Sequence, residues 1–362
     1  MEILTERDAI KGYENARSTM EHLKPINHLL SNRIWTEICI NKPLEVYTDS
    51  KEGWERHEVD GITEKWAREL TNLVANFIGG TAGQEPSLAA TLPTGQRVHI
   101  VRVPRIGQGK ICVTIRQPSE DLWTLEEMAE RGTFNYARHV QSALLTDDER
   151  KSFEKMLSDD DALLLDLLRE KKFIEFIRTA VQRKKNVVLS GSTGSGKTTL
   201  TNAALACIPD DERIITAEDT PEIRLPHLKQ HVQLFYNKNV KGSVRGVFED
   251  TLRMYPSRVL PAELRGDEAY FFINNVLNSG HSGTITTIHA NNSKLAYQRL
   301  GLMIQSSEEG AGLKLESITA MLYSLIEVVI QMNIRYGGDT GMKERIASEF
   351  YFDPAYAIKQ MG

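Results

Sequence analysis

Cysteine is scarce in this chain, no long apolar run occurs, and positive charge is not in surplus. The three cysteines, Cys39, Cys112 and Cys207, lie far apart and form no CxxC pair. That spacing gives no support for a disulfide frame or a zinc knuckle and fits reduced thiols. No stretch of about 18 apolar residues is present, so no membrane-spanning helix is expected. The opening MEILTERDAIKGYENA is charged and lacks an apolar centre, so no secretory signal is expected. A net charge of −5 and a pI near 6.0 argue against a nucleic-acid surface as the main feature. The cluster Arg183-Lys184-Lys185 is a local exception. What the chain does have is 41% hydrophobic and 26% charged residues over 362 positions, enough for two domains with real cores.

The first 120 residues read as a mixed α+β domain. Helical spacing runs through 14–30 and 62–78, the second stretch stopping at Gly79-Gly80. Strand patterns cover 34–40, 45–47, 98–103 and 111–115. Residues 121–170 are heavily charged and helical in pattern with no strand, and read as a helical linker. From 171 to 362 helix and strand patterns alternate, the signature of a mostly parallel sheet with crossover helices, and so of an α/β domain.

Within that alternation, Gly191-Ser192-Thr193-Gly194-Ser195-Gly196-Lys197-Thr198 matches G-x-x-x-x-G-K-[ST], with a strand before it and a helix-forming stretch from Thr199 onward. The glycines let backbone N–H groups and the helix N-terminus converge on phosphate oxygens. Lys197 can place its charge at the β- and γ-phosphates, and the Thr198 hydroxyl can ligate Mg²⁺. The loop is built to hold ATP, with GTP the alternative.

Hydrolysis needs a carboxylate near the γ-phosphate. Glu218, after the strand pattern RIITA, sits where a parallel sheet faces its ligand, although Asp219 or Thr220 there could simply cap a turn. Glu263, in RVLPAELRG, follows a short aliphatic run, and Val259 and Leu260 are all that precede Pro261. His281 and His289 bracket the strand pattern TITTI.

These elements, in this order, resemble the traffic ATPases of type IV secretion systems, the VirB-eleven type, relatives of the type II secretion and type IV pilus motors. GSTGSGKTT is similar to the family's Walker A, RIITAEDTPEI to its acidic box, TLRMYPSRVLPAELRGDEA to its Walker B region and GHSGTITTIHA to its histidine box. WTEICINKPLEVYT is similar to the opening strands of its N-terminal domain. The resemblance implies a RecA-like ATPase domain and a homohexameric ring at the cytoplasmic face of the inner membrane, peripheral to it and docked on other secretion components. That ring would drive export or channel assembly with ATP and Mg²⁺. It implies that Lys197 and Thr198 hold phosphate and Mg²⁺, that Glu218 positions water, that Glu263 is the Walker B acid at the metal, and that His289 and His281 sense the γ-phosphate. Arg97 and Arg116 match arginines that reach the nucleotide from the N-terminal domain. Pro261-Ala262 depart from the family's aliphatic residue and glycine, and the long stretch after RQPS points to the long-linker subtype. A helicase or DNA-pumping motor, disfavoured by the acidic charge, and a slow nucleotide-gated scaffold are the rival readings.

Overall fold

The computed structural model describes residues 6–50, 52–78, 86–117, 122–236, 242–266, 268–337 and 343–361. It divides into two compact units, Met1–Asp121 and Leu122–Gly362. The expected helix stop at Gly79-Gly80 lies outside the described residues.

In the first unit, strands with a period-two pattern pair into one antiparallel sheet. The strands are β1 (Glu37–Lys42), β2 (Glu45–Ser50), β3 (Gly53–Glu58), β4 (Ser87–Thr91), β5 (Arg97–Val101) and β6 (Cys112–Arg116), in the order β3-β2-β1-β6-β5-β4. Alternation puts Ile38, Ile40, Val98, Ile100, Val113 and Ile115 on one buried face. There they meet the apolar stripe of helix Glu64–Phe77, namely Trp66, Leu70 and Val74. Thr63 starts that helix by accepting a hydrogen bond from Trp66 N.

The second unit is built around eight strands: β7 (Arg138–Val140), β8 (Val187–Gly191), β9 (Ile214–Glu218), β10 (His231–Phe235), β11 (Arg258–Pro261), β12 (Ile285–Ile288), β13 (Val328–Tyr336) and β14 (Lys343–Phe352). They form two sheets, β10-β9-β11 and β12-β8-β13-β14-β7. The sheets meet at a seam between β11 and β12, bridged by the parallel pair Leu264 and Ile288. Strands β8 to β13 all run in one direction, and β14 returns antiparallel to β13. Every residue of β8 is buried, as a central parallel strand covered on both faces must be.

The seam explains how Pro261 is tolerated. Ala262 N donates to Ala217 O on β9 (3.1 Å), so the alternating backbone turns the nitrogen of Pro261 toward β12. No ladder forms on that side until Leu264 N reaches Thr287 O (2.9 Å). Hydroxyls bridge the gap instead, from Thr284 to Val259 O and from Thr287 to Ala262 O, both at 3.0 Å. A proline costs no ladder bond where there is none to lose.

The stretch 122–170 is part of this second unit and carries a strand, which corrects the expectation of a strand-free helical linker. β7 pairs with β14, and Leu164, Leu165 and Leu168 enter the same core as Phe176 and Phe350. The buried carboxylate of Asp353 fastens the segment further, accepting from Arg150 Nη1 (2.7 Å), Arg150 Nη2 (3.1 Å) and Ser142 N (2.7 Å).

Candidate active site

The loop that follows β8 turns directly into helix Lys197–Leu205, so its backbone amides and the helix N-terminus face the same point above the sheet edge. Gly191 is demanded by packing, because a Cβ there would lie 2.3 Å from the carbonyl oxygen of Met332 on β13. Gly194 and Gly196 have φ of +75° and +94°, the left-handed conformation that glycine adopts without strain.

Lys197 is buried within the loop. Its Nζ donates to Gly191 O (2.8 Å) and Ser192 O (3.0 Å) and lies 3.3 Å from His289 Nδ1. His289 follows β12, the strand next to β8, and its Nε2 is 2.8 Å from Glu263 Oε1. Glu263, beyond β11 and one strand further out, receives Arg265 Nη2 on its other oxygen. Arg265 Nη1 then donates to Asp219 Oδ2 at 3.0 Å. One connected line of charge thus runs Lys197, His289, Glu263, Arg265, Asp219 across the carboxyl ends of four strands.

Burial pushes the Glu263 carboxyl up, but the bond and charge of Arg265, with His289 and Lys197, outweigh it and hold the group below its usual range. Burial lowers His289 below the usual imidazole range, against the pull of Glu263. His289 Nδ1 also lies 3.1 Å from Gly191 O, so the ring sits between that carbonyl and the Lys197 ammonium on one side and the Glu263 carboxylate on the other.

Glu218 is placed differently from expectation. Its strand, β9, is three strands from β8, about 14 Å at ordinary strand spacing. The side chain is fully buried, and both oxygens are saturated. Oε1 accepts from Thr216 Oγ1 (2.6 Å) and Gln233 Nε2 (3.1 Å), and Oε2 from the backbone of Glu222 (2.7 Å) and Ile223 (3.0 Å). Burial raises its pKa despite these donors. In this geometry Glu218 anchors the loop 219–223 and presents no free oxygen to a water. That loop still touches the phosphate-loop helix, through Asn202 Oδ1, which accepts from Arg224 N at 3.1 Å.

His281 does not join the site. It precedes β12, which runs parallel to β8, so it lies at the edge of the sheet opposite the phosphate loop. The four residues of β12 alone span about 13 Å. There His281 Nδ1 is 3.1 Å from Ser279 Oγ. Nearby, Arg258 is fully buried in a two-bond pair with Glu212 (both 2.7 Å) and also donates to Gly283 O (3.1 Å). Gly283 has φ +86°, and a Cβ on it would crowd Arg258 Nη1 at 2.9 Å. That edge is structural.

Thr198 is exposed and Thr199 half-buried in the first turn of the helix, while Ser195 is buried. In the first unit, Arg97 and Arg116 are cross-strand partners, with Glu37 on the other side of Arg116. Glu37 lies 3.4 Å from Arg116 Nε, and burial raises its pKa even so. Three residues absent from the expected set contribute at the phosphate loop or its flank. They are Arg265 and Asp219, which the acidic and Glu263-bearing segments bring together, and Arg345 of β14, whose Nε donates to Gly194 O at 3.0 Å. Arg265 stands two residues after Glu263, and that adjacency was the signal available.

Known proteins resemble this chain over most of its length. A family described as Type II/IV secretion system protein matches residues 161–341. The type IV secretion system protein VirB11 of Brucella suis biovar 1 (strain 1330) is 37% identical over 97% of this chain and 94% of its own. The crystal structure of the VirB11 ATPase from the Brucella suis type IV secretion system, in complex with sulphate, superposes with a TM-score of 0.52 at 37% identity, covering 97% of this chain and 98% of that one. The pilus retraction motor PilT with bound ADP shares the fold, with a TM-score of 0.55 at 14% identity over 95% of this chain and 89% of that one.

Proposed function

Because the chain belongs to the VirB11 family of type IV secretion ATPases, we propose that it cleaves ATP at the carboxyl edge of β8, with Lys197, His289 and Glu263 as the working residues. The observation that carries this reading is the chain of contacts from Lys197 through His289 to Glu263. The Lys197 ammonium is held by carbonyl oxygens of its own loop. Phosphate oxygens offer it a stronger partner, so nucleotide draws Nζ off the loop. Whatever binds Lys197 lies beside His289 Nδ1, which makes His289 the residue that registers the γ-phosphate. Glu263, ionised and near the same point, is the acid that orients and polarises the attacking water. Glu218 keeps the acidic loop in place, and Asp219 reaches Glu263 through Arg265.

The donors present suit Mg²⁺, which takes oxygen ligands and usually only one or two from protein. The exposed hydroxyl of Thr198 is the protein group for it, with Glu263 close to the same phosphates. There the ion would supply positive charge to offset the charge that develops on the phosphates.

Arg97 and Arg116 are proposed to bind phosphate oxygens of the nucleotide. Two like charges opposite each other across strands repel, and an anion beside them relieves that repulsion. The Arg116 side chain is 48% exposed, so as a surface charge it is worth well under ~1 kcal/mol. As a phosphate contact it is worth more. Arg116→Ala is expected to weaken ATP binding or turnover tenfold or more, about 1.4 kcal/mol, at an unchanged melting temperature. Affinity and turnover both within twofold of wild type would make it a surface charge.

The assembly is proposed to be a closed ring of six identical subunits, docked on other secretion components at the cytoplasmic face of the inner membrane. A head-to-tail interface ends only by closing, and a motor acting on a long polymer needs a central passage. Among the described residues, no helix is long and apolar enough to cross a membrane, in keeping with peripheral attachment. Light scattering with ATP and Mg²⁺ at micromolar protein should return six subunits, and a monomer would contradict the ring.

A further inference from the structure

The catalytic side chains all lie to one side of the phosphate loop. Glu263 and His289 follow β11 and β12, and these strands flank β8 on one side only. A nucleoside triphosphate whose γ-phosphate meets them must send its ribose and base the other way, toward β13 and β14. Those two strands outrun β8. Pairing of β13 with β8 ends at Met332 and Gly191, whereas pairing of β13 with β14 continues to Tyr336 and Lys343.

The overhang has two distinct faces. Ile334 pairs with Arg345 and Tyr336 with Lys343, so these four side chains share one face. Arg335 and Glu344 share the other, where the Arg335 guanidinium lies 4.0 Å from the centre of the Tyr136 ring. The first face is the one against the phosphate loop. A Cβ on Gly196 would meet Arg345 Cδ at 3.3 Å and Met332 Cε at 3.4 Å, and Arg345 Nε holds Gly194 O. Beside Arg345 on that face stands Tyr336, 70% exposed. Among the described residues its ring stacks on no other aromatic ring. An aromatic ring left open to water on the overhang that carries Arg345 to the phosphate-binding loop, on the side the base must take, is the unexplained feature here.

We infer that Tyr336 and Arg345 form the base end of the nucleotide site. The Tyr336 ring stacks on the purine, and the Arg345 guanidinium, planar and always charged, lies against the ribose-phosphate side while bracing the crest of the loop. This assignment rests on the placement of ATP at Lys197 proposed above.

The test is steady-state ATPase with Mg²⁺ on Tyr336→Ala, Tyr336→Phe and Arg345→Ala, beside Lys197→Ala. Tyr336→Ala is expected to raise KM for ATP about tenfold with kcat within twofold, in line with the strength of aromatic–base stacking. Tyr336→Phe, which keeps the ring, is expected to restore KM, and Arg345→Ala to raise KM in the same direction. An unchanged KM in Tyr336→Ala, or a Phe variant as impaired as the Ala one, overturns the stacking role. Activity surviving in Lys197→Ala would instead remove the site on which the inference rests, so the two failures are distinguishable.

Discussion

Lys197→Ala is expected to lose at least about a hundredfold in ATPase rate while the protein stays folded. The Lys197 ammonium is the one cation inside the loop, and it also faces His289, which contacts Glu263. A positive charge preplaced where phosphate charge develops is worth orders of magnitude in rate, and a hundredfold corresponds to about 2.7 kcal/mol. Of the two residues whose carbonyls it leaves behind, Ser192 is exposed, so water can take the place of the ammonium there. Lys197 therefore supports catalysis far more than packing. A variant that keeps more than about a tenth of the wild-type rate, measured by phosphate release, would rule out this loop as the nucleotide site.

The second large effect is expected at Glu263. Glu263→Gln keeps the shape but removes the charge that Arg265 and His289 share. ATP binding should persist, because the loop and Lys197 are untouched, and turnover should fall by roughly 10² to 10⁴, the range for losing a positioned general base. The group is ionised throughout the neutral range, its pKa being held below that of a free carboxyl. Its own titration should therefore leave no step in the rate between pH 6 and 8. Wild-type turnover in the glutamine variant would mean that another acid orients the water, with Asp219, on the far side of Arg265, the next to replace.

How far the sequence led differs by element. The phosphate loop was legible in full, since its glycines, lysine and threonines are fixed by what backbone must do around phosphate. Glu263 and His289 were legible as acids and bases at strand ends, and the fold brings them into contact. The short aliphatic run before Glu263 looked too poor for a central strand. The seam beside β11 removes the need for a full ladder there. His281 was misplaced because two histidines bracketing one strand occupy opposite edges of a parallel sheet. Glu218 was read as a free acid because sequence does not reveal that four donors converge on it. β7 was invisible, as three residues inside a charged stretch carry no period. β13 and β14 were missed altogether although they pair with each other as neighbours in the chain, and the contact of Arg345 with Gly194, 151 residues away, leaves no local trace.

Single-turnover hydrolysis tests the central claim most directly. ATP is bound to excess purified protein, Mg²⁺ is added, and conversion to ADP and phosphate is followed in wild type and in Glu263→Gln. The account predicts that wild type cleaves the bound ATP while the variant, with equal occupancy, holds it at least a hundredfold longer. Equal rates in the two proteins, or wild-type protein that keeps its ATP intact, would contradict it.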